Sequence, residues 1–214
     1  DEYHPYEDLP KMINPTSGYI FNTNNSPFNS TAEFENLKEE DYNSTFSFME
    51  EENNRSIRFM ELIDEYEKLS YEDFKEIKYD QQYPDSILYI GNISQIFDLD
   101  KSEFPNYENL IDLIQNWDRR GDIENIGAAQ WSLYYSYMLD VLSENDLNVK
   151  DTIDIKFHLD ALEKTKARLM NNFGKLDIRL GDIQRLVRGD KSLPVSGLIA
   201  VSYTHLRAHE TNSN

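Results

Sequence analysis

The most informative part of the chain for its fold is residues 14–27, Asn14-Pro15-Thr16-Ser17-Gly18-Tyr19-Ile20-Phe21-Asn22-Thr23-Asn24-Asn25-Ser26-Pro27. Pro15 and Gly18 predict a turn, and the β-favouring run Tyr19-Ile20-Phe21 predicts a short strand after it. An asparagine cluster follows and ends at Pro27. A carboxamide at a strand end can donate an N–H to a developing negative charge, which is what an oxyanion hole requires. Asparagine clusters also form Asx-turns, so the pattern leaves both interpretations open.

The hydrophobic pattern becomes helical at Arg55. Before it, residues 29–54 are polar and acidic with few regular apolar repeats, which predicts a surface loop. After it, apolar residues recur about every 3.6 positions and predict helices beginning near residues 55, 70, 87, 110, 126 and 159, with a further turn over 181–186. We therefore predict a mainly α fold with a short N-terminal β/loop segment, divided into strand and loop (1–28), acidic loop (29–54), helical part (55–198) and tail (199–214).

Individual helices carry more specific signals. Ser70 and Asp73 predict a capping box at the start of the second helix, with Phe74 facing inward. Gly174 predicts the C-cap of the sixth helix. The fifth helix, over residues 126–142, has apolar groups on more than one face, so we expect it to be the most buried.

Composition excludes several classes of function. Lys and Arg total 21 against 40 Asp and Glu, a formal net charge of −19. A surface this acidic repels phosphates, so we expect neither nucleic acid nor an anionic membrane as a partner. The chain contains no cysteine, which excludes disulfides and thiolate chemistry. Its aromatic content of 13% is too high for a generic disordered acidic segment.

The two ends of the sequence are unusual. Asp1 begins the chain without a methionine or a signal sequence. At the other end, Val201-Ser202-Tyr203-Thr204-His205-Leu206-Arg207-Ala208-His209-Glu210-Thr211 resembles the translation of a transposase-type sequencing adapter, and we interpret residues 199–214 as an artefactual tail. His205 and His209 have a spacing found in metal sites, but the artefact explains them. We expect the chain to be an internal fragment of a longer reading frame. His4 and His158 are isolated from each other, and we expect them in loops or on the surface.

Several ordered motifs resemble the β chain of the penicillin acylase family, which includes penicillin amidases, acyl-homoserine lactone acylases and aculeacin-type acylases. The resemblance begins with Pro5-Tyr6-Glu7-Asp8-Leu9-Pro10, Asn14-Pro15-x-Ser17-Gly18-Tyr19-Ile20 and Asn22-x-Asn24-Asn25-Ser26-Pro27. It continues through Arg55, Trp117-Asp118, Phe173-Gly174, Gly181-Asp182-Ile183-Gln184-Arg185-Leu186 and Arg188-Gly189-Asp190 to Leu193-Pro194-Val195-Ser196-Gly197. The asparagine motif is fairly specific in this order, whereas the helical part is weakly specific.

The resemblance implies a fragment of an αββα N-terminal-nucleophile hydrolase that cleaves an acyl-amide bond. The family's nucleophile is an N-terminal serine, which would lie upstream of Asp1. By position, Asn24 would donate a side-chain N–H to the oxyanion hole and Arg55 would orient the catalytic amides and substrate. Arg55 would otherwise form a surface ion pair at a helix start, and Asn53-Asn54 replace the glycines that precede this arginine in penicillin amidases. Asn22 and Asn25 are candidates for binding substrate or for holding the loop through backbone hydrogen bonds.

The same resemblance implies the partners and the location. The partners would be the rest of the β chain, the α chain of the same precursor, and a small acyl-amide substrate of the homoserine-lactone, penicillin or lipopeptide type. The location would be periplasmic or secreted in a bacterium. We expect no cofactor, and a structural calcium known in some penicillin amidases cannot be assigned to a position here. The alternative function is a non-catalytic acidic helical binding or scaffold module.

Overall fold

The computed structural model of the chain describes residues 4–43, 52–88, 91–145, 147 and 152–198. It divides into two compact units, Asp1–Lys68 and Leu69–Asn214. The sequence analysis divided the chain between residues 54 and 55, whereas the two units divide after Lys68. The helix that begins near residue 55 therefore belongs to the first unit. The predicted artefactual tail, residues 199–214, lies outside the described residues.

The first unit is built around helix α1, Asn54–Ile63, with 3₁₀ turns at Tyr6–Asp8, Glu33–Glu35 and Glu39–Asp41. Phe59 of α1 stacks on Phe21 with ring centroids 4.4 Å apart and meets Tyr19 edge-on at 5.9 Å. Ile20, between them in sequence, is exposed. These aromatic contacts hold the asparagine-rich segment against the helix that carries Arg55.

The predicted strand over Tyr19 to Phe21 is wrong, because no neighbouring strand pairs with it among the described residues. The Phe21 amide donates to the carbonyl of Ser30 at 2.9 Å. The Tyr19 carbonyl, however, accepts from the buried hydroxyl of Thr31 at 2.8 Å. A side chain therefore takes the place of a backbone donor, and no ladder forms.

The second unit is mainly helical. Its described residues form α2 (Tyr71–Lys78), α3 (Glu108–Gln115), α4 (Ala128–Glu144), α5 (Ile155–Phe173) and α6 (Leu180–Ile183), with 3₁₀ segments at Gly91–Phe97 and Lys101–Glu103. Helix α4 packs most extensively on α5 and has the most buried residues of these helices, as predicted. Trp131 of α4 stacks on Trp117 at 5.7 Å in the centre of the core.

The predicted helix signals are confirmed at two positions. Ser70 caps α2 in a capping box with Asp73. Gly174 follows α5 in the left-handed conformation, with φ of 70°, and its N–H bonds to the Met170 carbonyl. The inward orientation predicted for Phe74 is wrong, since 51% of its surface is exposed and α2 has no buried residue.

A β-hairpin that the sequence analysis did not predict follows α6. Strand β1, Arg185–Arg188, pairs antiparallel with β2, Lys191–Pro194, and Leu186 lies opposite Leu193. All eight strand residues are exposed. The predicted helical turn over 181–186 is confined to α6, which ends at Ile183. None of the described helices is both long and apolar enough to cross a bilayer.

Candidate functional site

The candidate site is the asparagine loop of the first unit, and Asn24 lies at its exposed tip. Asn24 has φ of 64°, a left-handed conformation that asparagine tolerates better than most residues. Its backbone N–H donates to the side-chain oxygen of Asn22 at 2.8 Å. This is an Asx-turn, so the asparagine cluster does form the local turns that its sequence allows.

Asn25 holds the other half of the loop. Its Oδ1 accepts from the backbone N–H of Thr23 at 2.7 Å and from the Thr23 hydroxyl at 3.0 Å. Its Nδ2 donates to the carbonyls of Asn29 and Ser26. Both ends of the Asn25 amide are therefore used within the loop. The Asn22 side chain is exposed, and its role in substrate binding stays a prediction.

Arg55 contacts the tip of this loop from the first turn of α1. Its Nη2 donates to the Thr23 carbonyl and to Oδ1 of Asn24, each at 2.7 Å. A guanidinium has only donors, so the Asn24 atom that faces it must be the carbonyl oxygen. Nδ2 of Asn24 then has both N–H groups free, since it donates to no acceptor among the described residues. The contact joins residues 31 positions apart in the sequence.

Within the described part of the chain, the Arg55 guanidinium binds carbonyl oxygens and no carboxylate. Arg55 is exposed, and it forms no ion pair with any carboxylate in the described part of the chain. The surface ion pair considered for this residue is not found among the described residues.

Asn53 is a further residue of the site that the sequence analysis did not select. It is the N-cap of α1, and only 5% of its surface is exposed. Its Nδ2 donates to the Thr23 carbonyl at 3.2 Å, the same oxygen that accepts from Arg55. An asparagine directly before a helical pattern is an N-cap signal. The contact to Thr23 has no comparable signature in the sequence.

Glu35 fixes the turn that leads into the loop. Its carboxylate accepts the backbone N–H groups of Thr16 at 2.7 Å and Ser17 at 2.9 Å, and the Thr16 hydroxyl at 2.8 Å. Partial burial raises the pKa of Glu35, but the hydrogen bonds from Ser17 and Thr16 outweigh it and lower the pKa to about 2. Glu35 is therefore ionised at neutral pH and holds the turn by accepting hydrogen bonds.

The arrangement can stabilise negative charge on a substrate oxygen. It presents a neutral N–H donor, fixed by a cation that lies behind the same amide. Within the described residues, no three His, Asp or Glu side chains gather into a metal site.

Comparison with known protein families places this geometry in context. The model of the penicillin amidase family matches residues 1–200. The chain belongs to the penicillin amidase family. The match covers both units and includes the asparagine loop and Arg55. Membership in the penicillin amidase family supports hydrolysis of an acyl-amide bond as the kind of activity.

Proposed function

We propose that this chain is part of the β chain of an N-terminal serine amidohydrolase, an enzyme of the αββα fold that cleaves the amide between an acyl group and an amine. The observation that carries the proposal is the contact between Arg55 Nη2 and Asn24 Oδ1 at 2.7 Å. It fixes the carboxamide by its oxygen and leaves Nδ2 exposed as a donor. In this proposal Asn24 is the oxyanion donor and Arg55 orients it.

The chemistry divides between Asn24 and the N-terminal serine that family resemblance implies. The serine oxygen attacks the amide carbonyl, and the serine's own α-amine, with a free pKa near ~8, accepts the hydroxyl proton. The carbonyl oxygen becomes an anion and accepts a hydrogen bond from Asn24 Nδ2. The C–N bond then breaks, and the leaving amine takes the proton from the α-ammonium. Water hydrolyses the remaining acyl ester by the same route.

The proposed substrate class, partners and location follow from family resemblance. A small N-acyl-homoserine lactone, penicillin or lipopeptide fits the reaction. The run Leu193-Pro194-Val195-Ser196-Gly197 resembles the homoserine-lactone and aculeacin-type branch most. The partners proposed are the rest of the β chain and the α chain of the same precursor. The proposed location is the periplasm or the exterior of a bacterium.

The test replaces Asn24 in the full-length, processed enzyme. Asn24→Asp keeps an oxygen for Arg55 and a residue that tolerates positive φ, but it removes the N–H donor. Asn24→Ala removes the whole carboxamide. Asn14→Ala is the matched control, because Asn14 is also exposed and has a positive φ of 52° in the same unit. Steady-state kinetics are measured on a chromogenic acyl amide, and thermal unfolding is followed in parallel.

Loss of one oxyanion donor reduces kcat by about 100-fold to 1,000-fold. We expect that loss in both Asn24 variants, with kcat of Asn14→Ala close to that of the wild type. Wild-type turnover by Asn24→Asp would remove Asn24 from the mechanism. Absence of any amidase activity in the processed wild-type enzyme, across the three substrate types, would favour the binding-module alternative.

A further inference from the structure

The Asn53 side chain connects the start of α1 to the asparagine loop. Its Oδ1 accepts the backbone N–H groups of Arg55 at 3.0 Å and Ser56 at 3.1 Å. Its Nδ2 donates to the Thr23 carbonyl at 3.2 Å. A capping side chain needs only its acceptor to cap the helix, so the Nδ2 contact to Thr23 is additional to the cap.

That contact acts on the peptide group that precedes Asn24. A peptide group is planar, so fixing its oxygen and its nitrogen fixes its orientation. The oxygen of this group, Thr23 O, accepts from Asn53 Nδ2 and from Arg55 Nη2. The nitrogen, Asn24 N, donates to Asn22 Oδ1 at 2.8 Å. The peptide plane is held at both ends. Together with the Asn24 φ of 64°, it sets the direction in which the Asn24 side chain leaves the backbone.

Asn53 also sets the position of Arg55 itself. The Arg55 N–H is one of the two amides that Asn53 caps, so the same carboxamide holds the helix start that carries the guanidinium. Asn53 is almost fully buried, whereas Asn24 and Arg55 are both exposed. A buried amide with both ends engaged is a more rigid reference than either exposed side chain.

Resting on the proposed function, we propose that Asn53 is a positioning residue for the oxyanion donor. It holds the Thr23–Asn24 peptide and the Arg55 backbone in one arrangement, so that the side-chain Nδ2 of Asn24 is directed outward before substrate arrives. Donors that are fixed in advance need no reorganisation during the reaction. Misplacement of a reacting group by about 1 Å can cost ~100-fold in rate, so a smaller shift should cost on the order of tenfold.

The experiment separates the two ends of the Asn53 amide in the full-length, processed enzyme. Asn53→Asp and Asn53→Ser both retain a good helix cap, but neither can donate to the Thr23 carbonyl as the amide does. The Glu52 carboxylate accepts from the Asn53 backbone N–H at 3.3 Å, so Asn53→Asp places a second carboxylate beside it. Asn53→Ser adds no charge, so agreement between the two variants excludes an effect of that carboxylate. Ser70→Ala is the control for loss of a helix cap, because Ser70 caps α2 in the other unit.

Each variant is also made in the Asn24→Ala background, and kcat, KM and the unfolding temperature are measured. We expect both Asn53 variants to lower kcat on the order of tenfold, with KM within about twofold of the wild type. In the Asn24→Ala background the same substitutions should change kcat by less than about twofold, because the residue on which they act is gone. Ser70→Ala should lower the unfolding temperature and leave kcat unchanged.

The outcomes that overturn the inference are distinct from those that overturn the proposed function. If Asn24→Ala slows turnover but both Asn53 variants keep wild-type kcat, the positioning role is wrong and the oxyanion role stands. An equal loss of kcat with and without Asn24 would show that Asn53 does not act through it. If Asn24→Ala retains wild-type turnover, the proposed function fails first. Should Asn53→Asp not fold, Asn53→Ser decides the matter by the same criteria.

Discussion

Replacing His158 with asparagine should remove an acid-sensitive contribution to the stability of the helical unit. His158 lies on α5 with 1% of its surface exposed, and its Nδ1 is 2.6 Å from the hydroxyl of Tyr134 on α4. Its Nε2 is 3.4 Å from Oε1 of Gln95, an oxygen that also accepts from the backbone N–H of Ile153. Nε2 must therefore carry the proton, and Nδ1 accepts from the tyrosine.

The size of the effect follows from this environment. Desolvation by burial lowers the pKa of His158 from 6.5 to about 4. A proton on Nδ1 would face the Tyr134 hydroxyl, which would have to turn its own hydrogen into the core. Between pH 6.5 and about 4 the unfolded chain binds a proton that the folded chain does not. The free energy of unfolding therefore falls as pH is lowered through this window, by about 3 kcal/mol at 1.36 kcal/mol per pKa unit.

The assay is urea unfolding across that pH range for wild type and His158→Asn. Asparagine Oδ1 can accept from Tyr134 in place of Nδ1 but does not titrate there. We expect the variant to be less stable at neutral pH, because it loses the contact to Gln95, and to show a flatter pH dependence between 6.5 and 4. Parallel curves for the two proteins would refute the assignment of a neutral buried histidine. A ring titration of His158 by NMR near its unperturbed value would do the same.

Three further predictions concern other parts of the chain. Glu35→Gln should be less stable than wild type above pH 4.5. The difference in the free energy of unfolding should shrink as pH falls towards 2, because the wild-type carboxylate loses its charge there. Unfolding measured as a function of pH checks this, and a constant difference would contradict it. Gly127→Ala should lower the free energy of unfolding by about 2 kcal/mol more than Gly174→Ala does. Both glycines have positive φ, but only the new Cβ at 127 would lie 2.8 Å from Trp117 Cβ. Equal losses in denaturant unfolding would be evidence against this close approach. Arg55→Lys should lower kcat on the order of tenfold, because the lysine stem is flexible and does not hold its nitrogen where Nη2 donates to both carbonyl oxygens; unchanged kcat would mean that charge alone is sufficient.

Most of the helices were predictable because their stabilisation comes from periodic burial and local caps. The helix predicted near residue 87 is wrong, since a 3₁₀ segment, Gly91–Phe97, lies there instead. The Ser70 capping box and the Gly174 cap are encoded within a few residues of each other, and both are confirmed. The hairpin β1–β2 was missed because all its strand residues are exposed and carry no buried alternation. His158 was expected in a loop or on the surface and is buried, because its polar partner Tyr134 lies on a different helix and is invisible to a local pattern.

The site was predictable only in its parts. Family resemblance pointed to Asn24 and Arg55 separately, but the contact between them spans 31 positions and depends on how α1 packs on the loop. The sequence analysis did not select Asn53, because an asparagine N-cap looks the same in sequence whether or not its Nδ2 donates to a distant carbonyl such as that of Thr23.

The stacked pair Trp117 and Trp131 has a practical consequence for spectroscopy. These are the two tryptophans of the chain, and both lie in the core of the Leu69–Asn214 unit. Tryptophan emission from this chain, excited selectively over its 14 tyrosines, therefore reports on that core. Local melting around the asparagine loop would leave the tryptophan emission unchanged. Following it by tryptophan fluorescence requires a tryptophan introduced beside Phe21, for example Phe59→Trp.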